Sequence, residues 1–164
     1  MSEAFIASQK DGAHALLTRM AGSWIGTSKL WFEPGKLAEE TPVGGLLRPV
    51  LDGMFVVHEY VGTVMNKPQQ GLAIIGYSLG EGTWMTAWID SFHNGTRIMH
   101  SHGSAGADPK VPDMLGNYPA PPGPDWGWRT TLELKSDDHL VISMYNISPE
   151  GEEAKAVEFD YRRA

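Results

Sequence analysis

From Ser23 onward, short apolar runs alternate with polar turn residues, which is the pattern of β-strands and their connections. The runs are rich in Val, Ile, Thr, Trp and Tyr, and clusters of Gly, Pro, Asn and Asp separate them. They predict strands at 23–32, 43–51, 54–64, 70–78, 83–92, 97–105, 126–134, 139–147 and 153–163. Helical periodicity occurs once, in residues 8–22, where Leu16, Leu17 and Met20 form a short apolar face. This pattern of strands predicts an antiparallel meander that is either closed as a barrel or packed as a sandwich.

Two dipeptides, Asp52-Gly53 and Asn94-Gly95, predict tight two-residue hairpin turns. Residues paired across such a turn share one face of the sheet. The predicted pairs are Leu51–Met54, Val50–Phe55 and Arg48–Val57 in the first hairpin, and Asp90–Met99, Trp88–Ser101, Ile89–His100 and Ala87–His102 in the second. A loop at 79–82 further predicts the pairs Tyr77–Trp84, Ala73–Trp88 and Gly71–Asp90.

In a closed barrel one face of every strand lines the lumen. We assign the face that carries Trp88 and Asp90 to the inside and His58 to the outside. On the later strands this places Val157, Phe159, Leu140, Ile142 and Thr131 inside as well. The candidate ligand-binding residues of this lumen are Arg48, Phe55, Glu59, Tyr77, Trp84, Trp88, Asp90, Met99, Arg129, Met144 and Tyr161.

Composition narrows the class of protein. The chain has 164 residues, 41% of them hydrophobic and 20% charged, which suits one folded domain over residues 1–164. The net charge of −7 and the scattered Lys and Arg argue against a nucleic-acid partner. Without cysteine there is no disulfide or zinc–thiolate site. No apolar run reaches the ~20 residues of a membrane helix, and the N-terminus does not resemble a signal peptide, so a cytoplasmic protein is expected.

The stretch "AGSWIGTS", in which a short helix leads to Gly22-x-Trp24, resembles the opening of lipocalins and the wider calycin group. The resemblance implies that Trp24 plugs one end of an up-and-down barrel of about nine to ten strands, beneath the N-terminal helix. It also implies that a basic residue of the last strand, Arg162 or Arg163, packs over the Trp. The order "GSW", "LDGMFVVHEYVG", "IIGYS", "WIDS" and Tyr161-x-Arg163 is similar to a bacterial family of lipocalin-like barrels of unknown function. Ser78 stands where members of that family tend to have an acidic residue.

Two lumen carboxylates, Asp90 and Glu59, are the candidates for acid/base chemistry. An unpaired Asp90 inside a barrel would have a raised pKa, as a general base needs; the alternative is that it hydrogen-bonds a neighbouring strand or a Tyr. Glu59 and Arg48 are diagonal neighbours and either neutralise each other or anchor the polar end of a ligand. No nucleophile motif accompanies them.

The pair His100 and His102 lies on one face of a predicted strand, as two metal ligands would. No acidic residue follows at the spacing of a cupin site, and the last strand has no histidine for haem. We therefore expect a surface role for this pair, no metal and no cofactor.

The segment 107–126 holds six of the eleven prolines, and we predict a long connection without secondary structure. It is either a lid, whose Met114, Leu115, Tyr118 and Trp126 cover the cavity, or a surface elaboration or dimer contact. The favoured function is binding of a small, largely apolar or aromatic molecule in the lumen. The alternatives are an acid/base enzyme (isomerase or hydrolase) that uses the lumen carboxylates, and a scaffold without ligand that forms a homodimer through Met85, Ala87 and Ile89.

Overall fold

The computed structural model describes residues 1–164 as a closed antiparallel barrel of ten strands that follows two short helices. The elements are α1 (Glu3–Asp11), α2 (Ala13–Met20), β1 (Gly22–Glu33), β2 (Lys36–Val50), β3 (Phe55–Val64), β4 (Lys67–Ser78), β5 (Thr83–Asp90), β6 (Met99–His102), β7 (Asp113–Tyr118), β8 (Trp126–Ser136), β9 (His139–Ile147) and β10 (Glu153–Arg163). Each strand pairs with its neighbours in the chain, and β1 pairs with β10 to close the barrel. The predicted all-β barrel is confirmed. Neither helix is long and apolar enough to cross a bilayer.

The N-terminal segment forms two helices where one was predicted. The backbone of Gly12 is extended and separates them. Helix α2 buries Leu17 and Met20 against the end of the barrel where β1 begins and β10 ends, which we call the helix end. There Trp24 is buried and donates its indole N–H to the carbonyl oxygen of Met20 at 3.0 Å. The Arg163 guanidinium lies 4.2 Å from the Trp24 ring centroid, so the expected plug and its cation are both present.

The first predicted hairpin has the predicted register. Val50 pairs with Phe55 and Arg48 with Val57, but Leu51 and Met54 belong to a four-residue turn rather than to the ladder. Left-handed backbone at residues 51–53 makes this turn. The β4–β5 register is also as predicted, since Gly71, Ala73 and Tyr77 pair with Asp90, Trp88 and Trp84.

The second predicted hairpin is wrong in register by two residues. Trp88 pairs with Met99 rather than with Ser101, and the connection between β5 and β6 is the long loop 91–98. Asn94-Gly95 lies inside this loop and does not form a two-residue turn. The backbone N–H groups of Phe92, His93 and Asn94 bond the Asp90 carboxylate instead, which ends the ladder early. A shift of two leaves every side chain on its predicted face.

The predicted face of β3 is wrong. Val56, His58 and Tyr60 are buried inside the barrel, and Phe55, Val57 and Glu59 have the outward parity. The outward position of Phe55 fits its partner Gly76, where an added Cβ would lie 2.5 Å from Cδ1 of Phe55. Because β2 is in register with β3, Arg48 is outside as well.

The proline-rich segment contains a strand that was not predicted. Strand β7 pairs along its length with β8 and at two positions with β6, and it buries Met114 completely. Exposed Leu115 lies on its outer face and covers no cavity. The lid hypothesis therefore fails for Met114 and Leu115, since one is core and the other is outer surface.

Candidate functional site

The lumen of the barrel is packed rather than hollow. Tryptophans, aliphatic residues and Tyr161 fill it, and the internal void measures about 20 Å³. Such a void has room for about one water molecule. Its walls include the polar side chains of His58, Thr86 and Thr130. A ligand of several carbon atoms does not fit here without rearrangement of the core.

Buried polar groups run from the middle of the lumen towards the end opposite the helices. His58 shares a hydrogen bond of 3.1 Å with the Tyr161 hydroxyl. Burial lowers the pKa of His58 to about 3, so the imidazole is neutral. The Tyr60 hydroxyl accepts a hydrogen bond from the indole N–H of Trp88 at 2.9 Å and donates one to Asp90 Oδ2 at 3.3 Å. Burial, with the Asp90 charge second, raises the pKa of Tyr60 well above its usual value.

Asp90 is fully enclosed and fully hydrogen-bonded. Its Oδ2 accepts from Tyr60 and Gln69, and its Oδ1 accepts from the backbone of residues 92–94. Burial alone would raise the pKa of Asp90, but the hydrogen bonds and charge of His93, with backbone donors, bring it below the ordinary value. Of the two alternatives for Asp90, the structure shows the second: the carboxylate bonds a neighbouring strand and a Tyr, and it is not the unpaired group that would have a raised pKa. Asp90 is ionised and already occupied, so it is poorly placed to act as a general base.

His93 completes this cluster from the loop. Its Nδ1 lies 2.6 Å from Asp90 Oδ2, and its ring packs 5.4 Å from Trp88 and 5.9 Å from Trp128 between centroids. The rings of Trp88 and Trp128 stack on each other at 5.5 Å with an interplanar angle of 21°. The loop therefore holds an Asp–His pair against an aromatic floor.

A pocket of about 260 Å³ opens above this floor, at the end of the barrel opposite the helices; we call it the mouth pocket. Its walls come from the loop 91–98 and from the ends of β6, β7, β8 and β9. The lining residues are His93, Asn94, Arg97, Ile98, Met99, Asn117, Tyr118, Pro119, Trp128 and Asn146. Tyr118 donates to Asn146 Oδ1 at 2.6 Å across it, and the buried indole N–H of Trp128 has no hydrogen-bond partner.

The predicted ligand-binding residues fall into three groups. Met99 lines the mouth pocket, and Trp88 and Asp90 support it from below. The inward-facing residues Tyr77, Trp84, Met144 and Tyr161 belong to the core or pack against it. The outward-facing residues are Arg48, Phe55, Glu59 and Arg129.

The inward assignment of three charged residues is wrong for a common reason. Arg48 and Glu59 form an ion pair of 3.5 Å on the outer surface, where their side chains are 51% and 44% exposed. Arg129, with Thr131 on the same face, bonds Asp113 and Glu153 outside the barrel. A charge costs less on the surface than inside an apolar lumen. Glu59, the second candidate base, therefore does not face the lumen.

The histidine pair His100 and His102 is exposed on the outer face of β6, as expected for a surface role. No group of three or more His, Cys, Asp or Glu side chains is arranged to hold a metal ion.

A second depression, the outer groove, lies on the outside of β1–β5 and measures about 940 Å³. Its apolar walls are Ile25, Leu46, Val61, Leu72, Ile89 and Ile98, several of them largely exposed. Of the predicted dimer face, Ile89 borders this groove, and the homodimer stays a prediction.

The lid hypothesis had named Tyr118, which lines the mouth pocket, but sequence analysis missed His93, Arg97 and Asn146 as members of this site. The spacing of Asp90 and His93 was the available signal for this site. When an Asp accepts hydrogen bonds from the backbone N–H groups of the residues that follow it, the chain turns, and the side chain three positions later comes to lie against the Asp carboxylate. The Asn94-Gly95 dipeptide predicts a two-residue turn at the same place and conceals this signal.

The chain is similar to one protein family and to solved structures. A family model described as a protein of unknown function, DUF1579, matches residues 9–163. An S-type phycobiliprotein lyase, CpeS, from Guillardia theta is similar in structure, with a TM-score of 0.58 and 10% identity over 100% of this chain and 98% of that one. A de novo designed fluorescence-activating β-barrel aligns with a TM-score of 0.48 and 13% identity over 90% and 96% of the two chains. No curated protein matches the sequence.

Proposed function

We propose that this chain, which belongs to the DUF1579 family of proteins of unknown function, is a lipocalin-like barrel that binds a small planar molecule in its mouth pocket. The observation that carries the proposal is the pocket itself: about 260 Å³ above a floor that includes Trp128. This volume approaches the lower end of the usual range for small-molecule sites, ~300–1,000 Å³. Residues 1–164 act as one binding domain in this proposal.

The packed lumen moves the binding site from the middle of the barrel to its mouth. Stacked Trp88 and Trp128 close the lumen below the pocket, so the ligand lies on the aromatic floor rather than between the strands. The rings of His93, Tyr118 and Trp128 line this pocket, and aromatic rings favour a flat ligand because they stack or pack edge-to-face with it.

The rim of the pocket is polar and adds orientation. Asn117, Asn146 and Tyr118 offer amide and hydroxyl groups, and Arg97 is an exposed cation without an ion-pair partner in the protein. A ligand with an apolar ring and one polar or negatively charged end fits this distribution.

Similarity to the phycobiliprotein lyase supports the choice of scaffold only. One barrel fold serves many functions, so the ligand is argued from the residues of the pocket.

A pocket-filling variant tests the proposal. Asn146 points inward at the end of β9, and Asn146→Phe places a ring in the mouth, whereas Leu115→Phe adds the same ring to the exposed outer face of β7. We expect 4-nitroanisole, a small planar probe, to quench tryptophan fluorescence of the wild type and of Leu115→Phe, and to bind Asn146→Phe at least about tenfold more weakly, a loss of about 1.4 kcal/mol. Equal binding by all three proteins would show that the probe binds elsewhere, such as in the outer groove, and that the proposal is wrong.

A further inference from the structure

We propose that His93 accepts a proton from the ligand in the mouth pocket through Nε2, so that the pocket selects planar weak acids such as phenols. The inference rests on the proposed function, since it concerns the same pocket. It assigns the chemical class of the ligand and a role to a histidine that the sequence did not single out.

The Asp90 carboxylate determines which nitrogen of His93 carries the proton. Oδ1 accepts hydrogen bonds from three backbone N–H groups. Oδ2 accepts hydrogen bonds from Tyr60 and Gln69, and it also lies 2.6 Å from His93 Nδ1. A carboxylate with this many donors around it is an acceptor only. Nδ1 therefore carries the hydrogen that faces Asp90, and Nε2 is the ring nitrogen that can accept a proton from a ligand.

Nε2 is available to a ligand. It makes no hydrogen bond to the protein, while Nδ1 and the backbone N–H of His93 both do. It is also not sealed from solvent, because the buried side-chain nitrogens and oxygens without a partner are those of Ser28, Trp84 and Trp128 alone. His93 lines the mouth pocket, and its side chain is 17% exposed.

The charged and titratable groups around His93 favour transfer of the proton. Asp90 lies below it and Tyr60 behind Asp90, while Arg97 and Tyr118 border the pocket. When a phenol O–H bond breaks, its proton binds the Nε2 lone pair and the electron pair stays on oxygen as a phenolate. The imidazolium is then stabilised by the Asp90 carboxylate through Nδ1–H, and the phenolate lies in the same pocket as the Arg97 cation.

A chromophoric pair of probes tests this step. 4-Nitrophenol absorbs differently as phenol and as phenolate, and 4-nitroanisole has the same ring without the ionisable proton. At one pH, we expect the ratio of phenolate to phenol to be about tenfold higher for bound than for free 4-nitrophenol, a shift of one pKa unit. His93→Gln keeps a polar side chain that accepts no proton, and it should return the ratio for bound 4-nitrophenol to that of the free probe. His100→Gln, an exposed histidine of β6, is the matched control and should behave as the wild type.

The outcomes separate the two proposals. If neither probe binds, the proposed function fails. If both bind and the bound nitrophenol is no more ionised than the free probe, proton acceptance by His93 is wrong while the binding site stands. If Arg97→Gln abolishes the extra ionisation and His93→Gln does not, the cation alone is responsible and the inference is again wrong.

A measurement on the wild type keeps the test valid if His93→Gln does not fold. In protein with ¹⁵N-labelled histidine, one Nε2 resonance should change from the unprotonated to the protonated position on addition of 4-nitrophenol but not of 4-nitroanisole. No such change at saturation with nitrophenol would refute proton transfer.

Discussion

Acidification should destabilise the barrel through His58, the histidine buried among aromatic rings in the lumen. In the folded protein this imidazole packs near Tyr60, Phe159 and Tyr161, and its pKa is about 3. In the unfolded chain its pKa returns to the ordinary value of about 6.5. The folded state therefore binds fewer protons than the unfolded state between these two values.

The difference in bound protons determines the direction and the size of the change in the free energy of unfolding with pH. The contribution of His58 to stability is fully present above the unfolded pKa and is lost as the pH falls towards the folded pKa. Each pH unit in this window costs about 1.4 kcal/mol, so acidification from about pH 7 to about pH 4.5 should remove about 2.5 kcal/mol. Burial also lowers the pKa of His14, which adds a further loss of the same sign.

The comparison with His58→Gln isolates the share of His58. Glutamine can still bond the Tyr161 hydroxyl but does not titrate, so the variant should lose about 2.5 kcal/mol less than the wild type over the same pH change. Urea melts followed by tryptophan fluorescence at both pH values measure the loss, and His100→Gln, at an exposed histidine, should retain the wild-type slope. An identical loss in the wild type and in His58→Gln would refute a neutral buried His58 as the source of acid sensitivity.

Further predictions concern the helix end, the Asp90 cluster and metals. Trp24→Ala should lower the free energy of unfolding by about 3–5 kcal/mol, because the buried ring, its hydrogen bond to Met20 and its contact with Arg163 are lost together. Trp31→Ala, on the outer face, should cost much less in the same denaturant melts. Asp90→Asn should cost about 3–5 kcal/mol near neutral pH, since an amide nitrogen then faces hydrogen-bond donors. The difference in the free energy of unfolding between this variant and the wild type should shrink as the pH falls through the lowered pKa of Asp90, because the wild-type carboxylate then loses its charge. Metal analysis and absorption spectra of protein expressed with added zinc or haem should find less than one of either per chain, and a stoichiometric amount would contradict the expectation.

Strand faces could be predicted where large and small residues alternate across a pair. On β4 and β5, Ala73 lies beside Trp88 and Gly71 beside Asp90, and the sequence shows this complementarity directly. Strand β3 carries no such signal. Its sequence "FVVHEY" places bulky residues on both faces. The residue types therefore predict a strand, but the alternation of side chains does not show which face lies inside the barrel.

Two kinds of long-range information were missing for β3. Room for the Phe55 ring outside the barrel depends on Gly76 in the next strand. A partner for a buried His58 depends on Tyr161, more than a hundred residues later. The strand in the proline-rich segment was hidden for a related reason, because β7 is short and Gly-containing and is held by pairing with β8 rather than by its own propensity.

The error in the second hairpin and the site at the mouth have one physical origin. An Asn-Gly hairpin would have continued the ladder to the turn and left no loop at this edge of the barrel. Asp90 prevents this, because its carboxylate takes the backbone N–H groups of residues 92–94 that a longer ladder would have used. The chain then leaves the sheet and passes over the barrel end, which brings His93 onto Asp90 and Arg97 to the rim of the pocket. Loss of the Asp90 charge should therefore disturb the loop and the pocket together, whereas His93→Gln should alter proton transfer in a loop that keeps its backbone bonds.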